Sequence, residues 1–173
     1  MTRTAPIRVA PTPEAPLRAS DIMTTDVVTV TPRTAVTEAA RQLIDRGVSN
    51  LPVVERDFTR SVLVGFVSEK DVMQCFASGR LHAEPALPVA QILRPHPVSV
   101  RPETDLYTLA AIFMQHGYRH LPVTVGQILQ GMVSRRDVLA ALMGELQHWQ
   151  LSDPATRRIP DLAGIFTPRY LLG

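Results

Sequence analysis

The amino-acid sequence predicts a mixed α/β fold (α+β): two βαββα units packed about a pseudo-twofold axis, with helices covering their sheets. Two observations carry this expectation. The first is an internal repeat. Shifted by 70 residues, the block 22–54 overlays 92–124 with ten identities, among them Val28/Val98, Pro32/Pro102, Thr34/Thr104, Gly47/Gly117 and Leu51-Pro52-Val53/Leu121-Pro122-Val123. At a shift of 66, six more follow: Leu63/Leu129, Gly65/Gly131, Val67/Val133, Ser68/Ser134, Asp71/Asp137 and Val72/Val138. The second is periodicity. Val36, Ala39, Ala40, Leu43 and Ile44 fall on one helical stripe, and Leu106, Leu109, Ala110, Phe113 and Met114 fall on the same stripe one repeat later.

Taken in order, each unit opens with a β-branched run, 27–30 and 98–100, closed by Pro32 and Pro102. Thr34 and Thr104 stand where a helix N-cap belongs, and Gly47 and Gly117 where a left-handed C-cap would end the helix. The runs 51–54 and 121–125 follow, each broken by a proline that demotes it to a short or edge strand. Their hairpin partners are 62–67 and 128–133, with a longer loop at 55–61 than around Gly126-Gln127. Second helices are expected at 69–76 and 135–143. One such unit has too little core to stand alone, so the two are expected to bury their open sheet faces against each other. The repeats are bounded at 20–80 and 81–144. Residues 1–19, rich in proline, read as a disordered arm. Residues 145–173 carry Trp149, Ile159, Phe166 and Tyr170 and read as a tail partly docked on the body.

Composition excludes several classes. Hydrophobic residues make up 45% and charged residues 20%, as in an ordinary globule. No apolar run approaches the ~18 residues of a membrane span, and no secretory leader is evident. The one cysteine, Cys75, excludes an internal disulfide and suits a reducing, cytoplasmic setting. The net charge of +2 comes from Arg3, Arg8 and Arg18 against Glu14 in the arm, while 20–140 balances acids against bases. A neutral body argues against nucleic acid as a partner. His116 and His120 have chelating spacing, but Gly117 lies between them and no third ligand is near, so no metal is expected. No Gly-rich phosphate loop, nucleophile elbow or carboxylate pair stands out, and the chain is not read as an enzyme.

The opening run Asp21-Ile22-Met23-Thr24-Thr25-Asp26-Val27-Val28-Thr29-Val30, the two Leu-Pro-Val motifs and the two Gly-x-Val-Ser-x-x-Asp motifs (65–71, 131–137) resemble the CBS domain. The likeness spans about residues 19–142, and the chain looks like a stand-alone tandem pair, or Bateman module. The resemblance implies an adenosine-containing ligand (AMP, ADP, ATP or, less favoured, S-adenosylmethionine) in clefts between the repeats. It implies no chemistry on the ligand, no resident cofactor, a homodimer, and a regulated protein that the sequence does not identify.

In that family each cleft joins the Ser-x-x-Asp of one repeat to the other repeat. Asp71 and Asp137 would take the ribose diol, since one carboxylate can accept from both hydroxyls. Ser68 and Ser134 would donate to phosphate at a helix N-terminus. The first cleft is expected to combine Ser68, Asp71, Pro97, Val98, Arg119, His120 and Arg136; the second, Thr25, Val27, Ser49, Asn50, Lys70, Ser134 and Asp137. With two arginines, the first is the expected nucleotide site. Plainer readings stand beside these: Asp71 and Asp137 as charges suited to a helix start, Arg119 and Lys70 as solvated surface, Cys75 as a packed thiol, and the clefts as vestiges of a ligand-free interaction module.

Overall fold

A computed structural model of the chain describes residues 16–95 and 97–152. In chain order these form α1 (Ala19–Ile22), α2 (Val36–Arg46), β1 (Asn50–Asp57), β2 (Arg60–Ser68), α3 (Glu69–Ala77), α4 (Arg80–Ala83), a 3-10 turn (Val89–Gln91), β3 (Arg94–Pro95), α5 (Leu106–Gln115), β4 (His120–Val125), β5 (Ile128–Ser134) and α6 (Arg135–Leu151). The strands run in the order β1-β2-β5-β4, with β3 also on β2. Pro52 and Pro122 lie in the two outer strands, where a missing N–H does least damage.

The halves repeat each other's pairings. Val30 bridges Val53 as Val100 bridges Val123, and each hairpin slips register at the same place, Val53/Val54 and Val123/Thr124. What the repeats exchange is their leading segments. Residues 17–24 lie on the second repeat: Leu106 N–H donates to the Leu17 carbonyl at 2.7 Å, Ala19 N–H to Thr104 at 2.8 Å, and Thr24 pairs with Met132. Residues 87–95 lie on the first: Val36 N–H donates to Leu87 at 2.8 Å, Val89 N–H to Thr34 at 2.8 Å, and Arg94 pairs with Phe66. Gly65 and Gly131 admit these crossing strands. A Cβ on Gly65 would lie 2.6 Å from the Arg94 carbonyl oxygen, and one on Gly131 would lie 2.7 Å from that of Thr24.

The cores follow the exchange. Val30, Val36, Ala39, Leu43, Leu51, Val53, Val67 and Val72 pack with Leu81, Leu87 and Val89. Val100, Leu106, Leu109, Phe113, Leu121, Val123, Val133 and Val138 pack with Ala19. The two clusters stay separate and do not merge across the repeats. The repeats join instead along β2 and β5, at Val62–Ile128 and through Leu63 N–H to the Gln127 carbonyl at 2.8 Å.

Several local expectations are corrected. The runs 27–30 and 98–100 make a single bridge each, Val30 to Val53 and Val100 to Val123, and form no extended strand. Ala35 and Asp105, not Thr34 and Thr104, are the N-caps. The threonine hydroxyls close the preceding turns, accepting from Thr31 N–H at 3.0 Å and Arg101 N–H at 3.2 Å. Asp105 Oδ1 accepts from Tyr107 and Thr108 N–H, each at 3.0 Å. Ala35 has no such side chain, and the other repeat's Leu87 carbonyl takes the first helical N–H instead. Gly47 is the left-handed cap expected, with φ of 61°, but α5 ends on His116 in extended geometry and Gly117 is not left-handed.

The 55–61 loop is consumed by strand, leaving a turn in which Phe58 is fully exposed at φ 49°. Ile44 and Met114 lie at the edge of their stripes and are 78% and 71% exposed, so neither is core. The second helix of the second repeat runs eight residues past its expected end to Leu151, absorbing the start of the tail. The expected arm stops short of Leu17; its residues 1–15, and the tail beyond 152, lie outside the described residues.

Candidate functional site

Each Ser-x-x-Asp motif folds as a helix start. Ser68 and Ser134 are the N-caps of α3 and α6, and Asp71 and Asp137 stand at the third helical position as reciprocal caps. Asp71 Oδ2 accepts from Ser68 N–H at 2.9 Å and Ser68 Oγ at 2.5 Å; Asp137 Oδ2 accepts from Ser134 N–H at 2.8 Å and Ser134 Oγ at 2.7 Å. Each serine hydroxyl therefore donates to its own aspartate.

The two motifs open into two clefts. The first, about 620 Å³, is lined by Ser68, Lys70, Asp71, Arg94, Pro97, Val98, Tyr118, Arg119 and His120, with Ser49 and Asn50 beside Ser68. The second, about 270 Å³, is lined by Thr24, Asp26, Val27, Asn50, His120, Met132, Ser134 and Asp137. Asn50 and His120, equivalent residues of the two repeats, face both clefts.

The sequence-derived sets thus come together with four changes. Lys70 and Ser49 lie in the first cleft, not the second: Lys70 shares a helical turn with Asp71 and stays on its side. Arg136, beside Asp137 for the same reason, cannot join Asp71; it is exposed and lines neither cleft. Thr25 is exposed outside both, and its neighbour Thr24 lines the second. Cations consequently gather in one place. Lys70, Arg94 and Arg119 line the first cleft, while the described residues lining the second carry Asp26 and Asp137 but neither lysine nor arginine.

Arg94 is the residue that sequence reasoning missed. Its Nε and Nη2 lie 2.9 and 2.8 Å from Asp71 Oδ1, and the Asp71 side chain is only 9% exposed. Little in the sequence signals it: a shift of 70 sets Arg94 against Thr24, but 23–27 and 93–97 share no residue, so this pair does not stand out among its neighbours. His120 is the other electrostatic feature. Burial lowers its imidazole from the ordinary value of 6.5; Asp137 opposes this, and Arg119 and Arg135 add to it. Its Nδ1 is buried and has no hydrogen-bond partner among the described residues. These residues form no His, Cys, Asp or Glu cluster able to hold a metal, and no helix among them is long and apolar enough to cross a membrane.

Comparison with known proteins gives this geometry a context. The model of the CBS domain matches residues 19–78 and 89–144. The CBS domain-containing protein YhcV of Bacillus subtilis is 32% identical over 113 residues, covering 65% of this chain and 76% of YhcV. The inosine-5'-monophosphate dehydrogenase of Korarchaeum cryptofilum is also 32% identical, over 114 residues that make up 21% of that enzyme. The crystal structure of CBSX2 in complex with AMP superposes with a TM-score of 0.64 at 27% identity, covering 75% of this chain and 98% of that one. With both repeats matched, and with two Ser-x-x-Asp helix starts facing clefts between them, the chain belongs to the CBS-domain family, as a tandem pair.

Proposed function

We propose that this CBS pair is a non-catalytic regulatory module that binds an adenosine-containing ligand between its repeats and passes the event on as a change of shape or of partner contact. The observation that carries the reading is that each cleft is walled by both repeats, so an occupant touches both and favours the arrangement in which they fit it best. The AMP bound by CBSX2, a 27% identical relative, supports the choice of ligand class. Lys70, Arg94 and Arg119 make the first cleft the one suited to phosphate, and favour AMP, ADP or ATP there. Asp137 carries an Oδ1 with no partner among the described residues and is the free diol acceptor of the second. The reading does not include chemistry on the ligand.

The same proposal takes the module as a homodimer. Apolar side chains are exposed at equivalent positions of both repeats, Ile44 with Met114 on α2 and α5, and Met73 with Leu139 on α3 and α6. A second copy, with the same faces, is their natural cover.

Calorimetric titration of the full chain with AMP, ADP, ATP, S-adenosylmethionine and GTP tests the ligand reading. Saturable binding of an adenosine compound, without binding of GTP, is the expected result. Absence of heat with every ligand at two temperatures, the fold being intact, overturns it in favour of a ligand-free interaction module.

A further inference from the structure

We propose that Arg94 is an internal competitor for the first cleft and makes it selective for phosphorylated over unphosphorylated adenosine compounds; this rests on the ligand reading above.

The argument begins with the acceptor capacity of one carboxylate. Two oxygens offer about four lone-pair directions. At Asp71 both oxygens are engaged: Oδ2 accepts from Ser68 N–H and Oγ, and Oδ1 accepts from Arg94 Nε at 2.9 Å and is ion-paired with Arg94 Nη2 at 2.8 Å. A ribose diol entering the first cleft meets an acceptor already held by Arg94. At Asp137 the cap bonds are the same, but the position equivalent to Arg94 is Thr24, and Oδ1 is free of partners among the described residues. The difference between Arg94 and Thr24 thus engages one Oδ1 and leaves the other open.

Displacing Arg94 is a matter of what it meets next. Asp71 is buried to 9% exposure whereas the Arg94 side chain is 62% exposed, so the guanidinium can swing on its stem while β3 stays paired to Phe66. A ligand without phosphate takes Asp71 from Arg94 and gives the guanidinium only water in return. A ligand with phosphate supplies an anion to which Arg94 donates in its preferred forked geometry, in a cleft also lined by Lys70 and Arg119. The exchange, carboxylate for phosphate at Arg94 and guanidinium for diol at Asp71, leaves each group partnered. Since β3 belongs to the leading segment that the second repeat lends to the first, the exchange also acts on the crossing strand.

The test compares adenosine with AMP by calorimetry on the full chain, in an Asp137→Asn background. The asparagine keeps an oxygen for the Ser134 cap and sets an amide donor where the second cleft's diol acceptor was. AMP is expected to bind at least tenfold more tightly than adenosine. Adding Arg94→Met, which removes the charge at an exposed side chain, is expected to tighten adenosine at least fivefold and to shrink the AMP preference. Unchanged or weakened adenosine binding in Arg94→Met, with AMP still bound, overturns the competition and leaves the ligand reading standing. Binding of neither compound by either protein overturns both.

Discussion

The Tyr107 hydroxyl donates a 2.6 Å hydrogen bond to Glu145 Oε2, tying the first turn of α5 to α6 beyond the point where the sequence repeat ends. Burial, then the bond and charge of Glu145, push this phenol up to about 12. The folded state therefore favours the neutral phenol. Its contribution is complete below the ordinary tyrosine value of 10.0 and is lost as pH rises through about 12. Tyr107→Phe is expected to destabilise the chain by about 1 kcal/mol in urea unfolding and to remove an ionisation near 12 from an alkaline absorbance titration.

The two motif glycines are expected to behave alike despite lying in different repeats. Gly65→Ala and Gly131→Ala each drive a methyl into the backbone of the exchanged segment, and each is expected to destabilise by about 1–3 kcal/mol. Nothing lies within 4 Å of a Cβ at Gly47, where only the left-handed φ of 61° opposes substitution, so Gly47→Ala is expected to cost about 1 kcal/mol. Thermal or urea unfolding of the three variants checks both the sizes and the order.

Phe58 offers a change in the opposite direction. It is a fully exposed aromatic held at φ 49°, in the hairpin turn whose counterpart in the second repeat carries Gly126 at φ 61°. Phe58→Gly is expected to stabilise by up to about 1 kcal/mol by relieving the left-handed backbone. A loss of stability on urea unfolding would assign Phe58 a packing role that its exposure denies.

Acid sensitivity near neutrality is expected to run through His120. Its folded-state value lies below 6.5, so the unfolded chain binds the proton more readily. Stability then falls as pH drops below 6.5 and levels off once the folded value is passed. The groups that act on it are Asp137, which favours the proton, and Arg119 and Arg135, which oppose it. His120→Gln is expected to flatten this part of the curve of stability against pH, measured by urea unfolding at half-unit steps.

Asp105 governs the more acid limb. Burial raises its carboxyl, but the Thr108 hydroxyl and the Thr108 and Tyr107 N–H bonds outweigh it, and the net value lies below 3.8. Its stabilisation is present above 3.8 and is lost as pH falls through the lower folded value. Asp105→Ala is expected to cost about 1 kcal/mol at neutral pH and correspondingly less in strong acid.

How legible this was in the sequence depends on the range of the forces involved. The helix stripes, the Leu-Pro-Val edge strands and the Ser-x-x-Asp helix starts were readable because near neighbours in the chain decide them, and the repeat supplied each reading twice. Thr34 and Thr104 misled by one position: a threonine before a helix can cap it or close the turn ahead of it, and the partner that decided for the turn in the first repeat, the Leu87 carbonyl, lies 53 residues away from Thr34 in the chain. The exchange of leading segments left its trace only in Gly65 and Gly131, whose need for space has no local cause. At the clefts, Asp71 and Asp137 share the Gly-x-Val-Ser-x-x-Asp motif and differ through Arg94, which no spacing rule connects to them. Lys70 and Arg136 went astray because the resemblance assigned clefts by repeat, whereas a helical turn keeps neighbours together.

The exchanged leading segments also order the events of synthesis. The first core lacks Leu81, Leu87 and Val89 until well after its own strands have left the ribosome. Residues 17–24, made first, must wait for Met132 and the strand around it before they have anything to pair with. Each core borrows residues from the other repeat, so a chain cut between them is expected to yield two halves that are each missing a wall. Mixed together, such halves have the contacts to complement each other; apart, each exposes the apolar surface that its neighbour's opening residues were meant to cover.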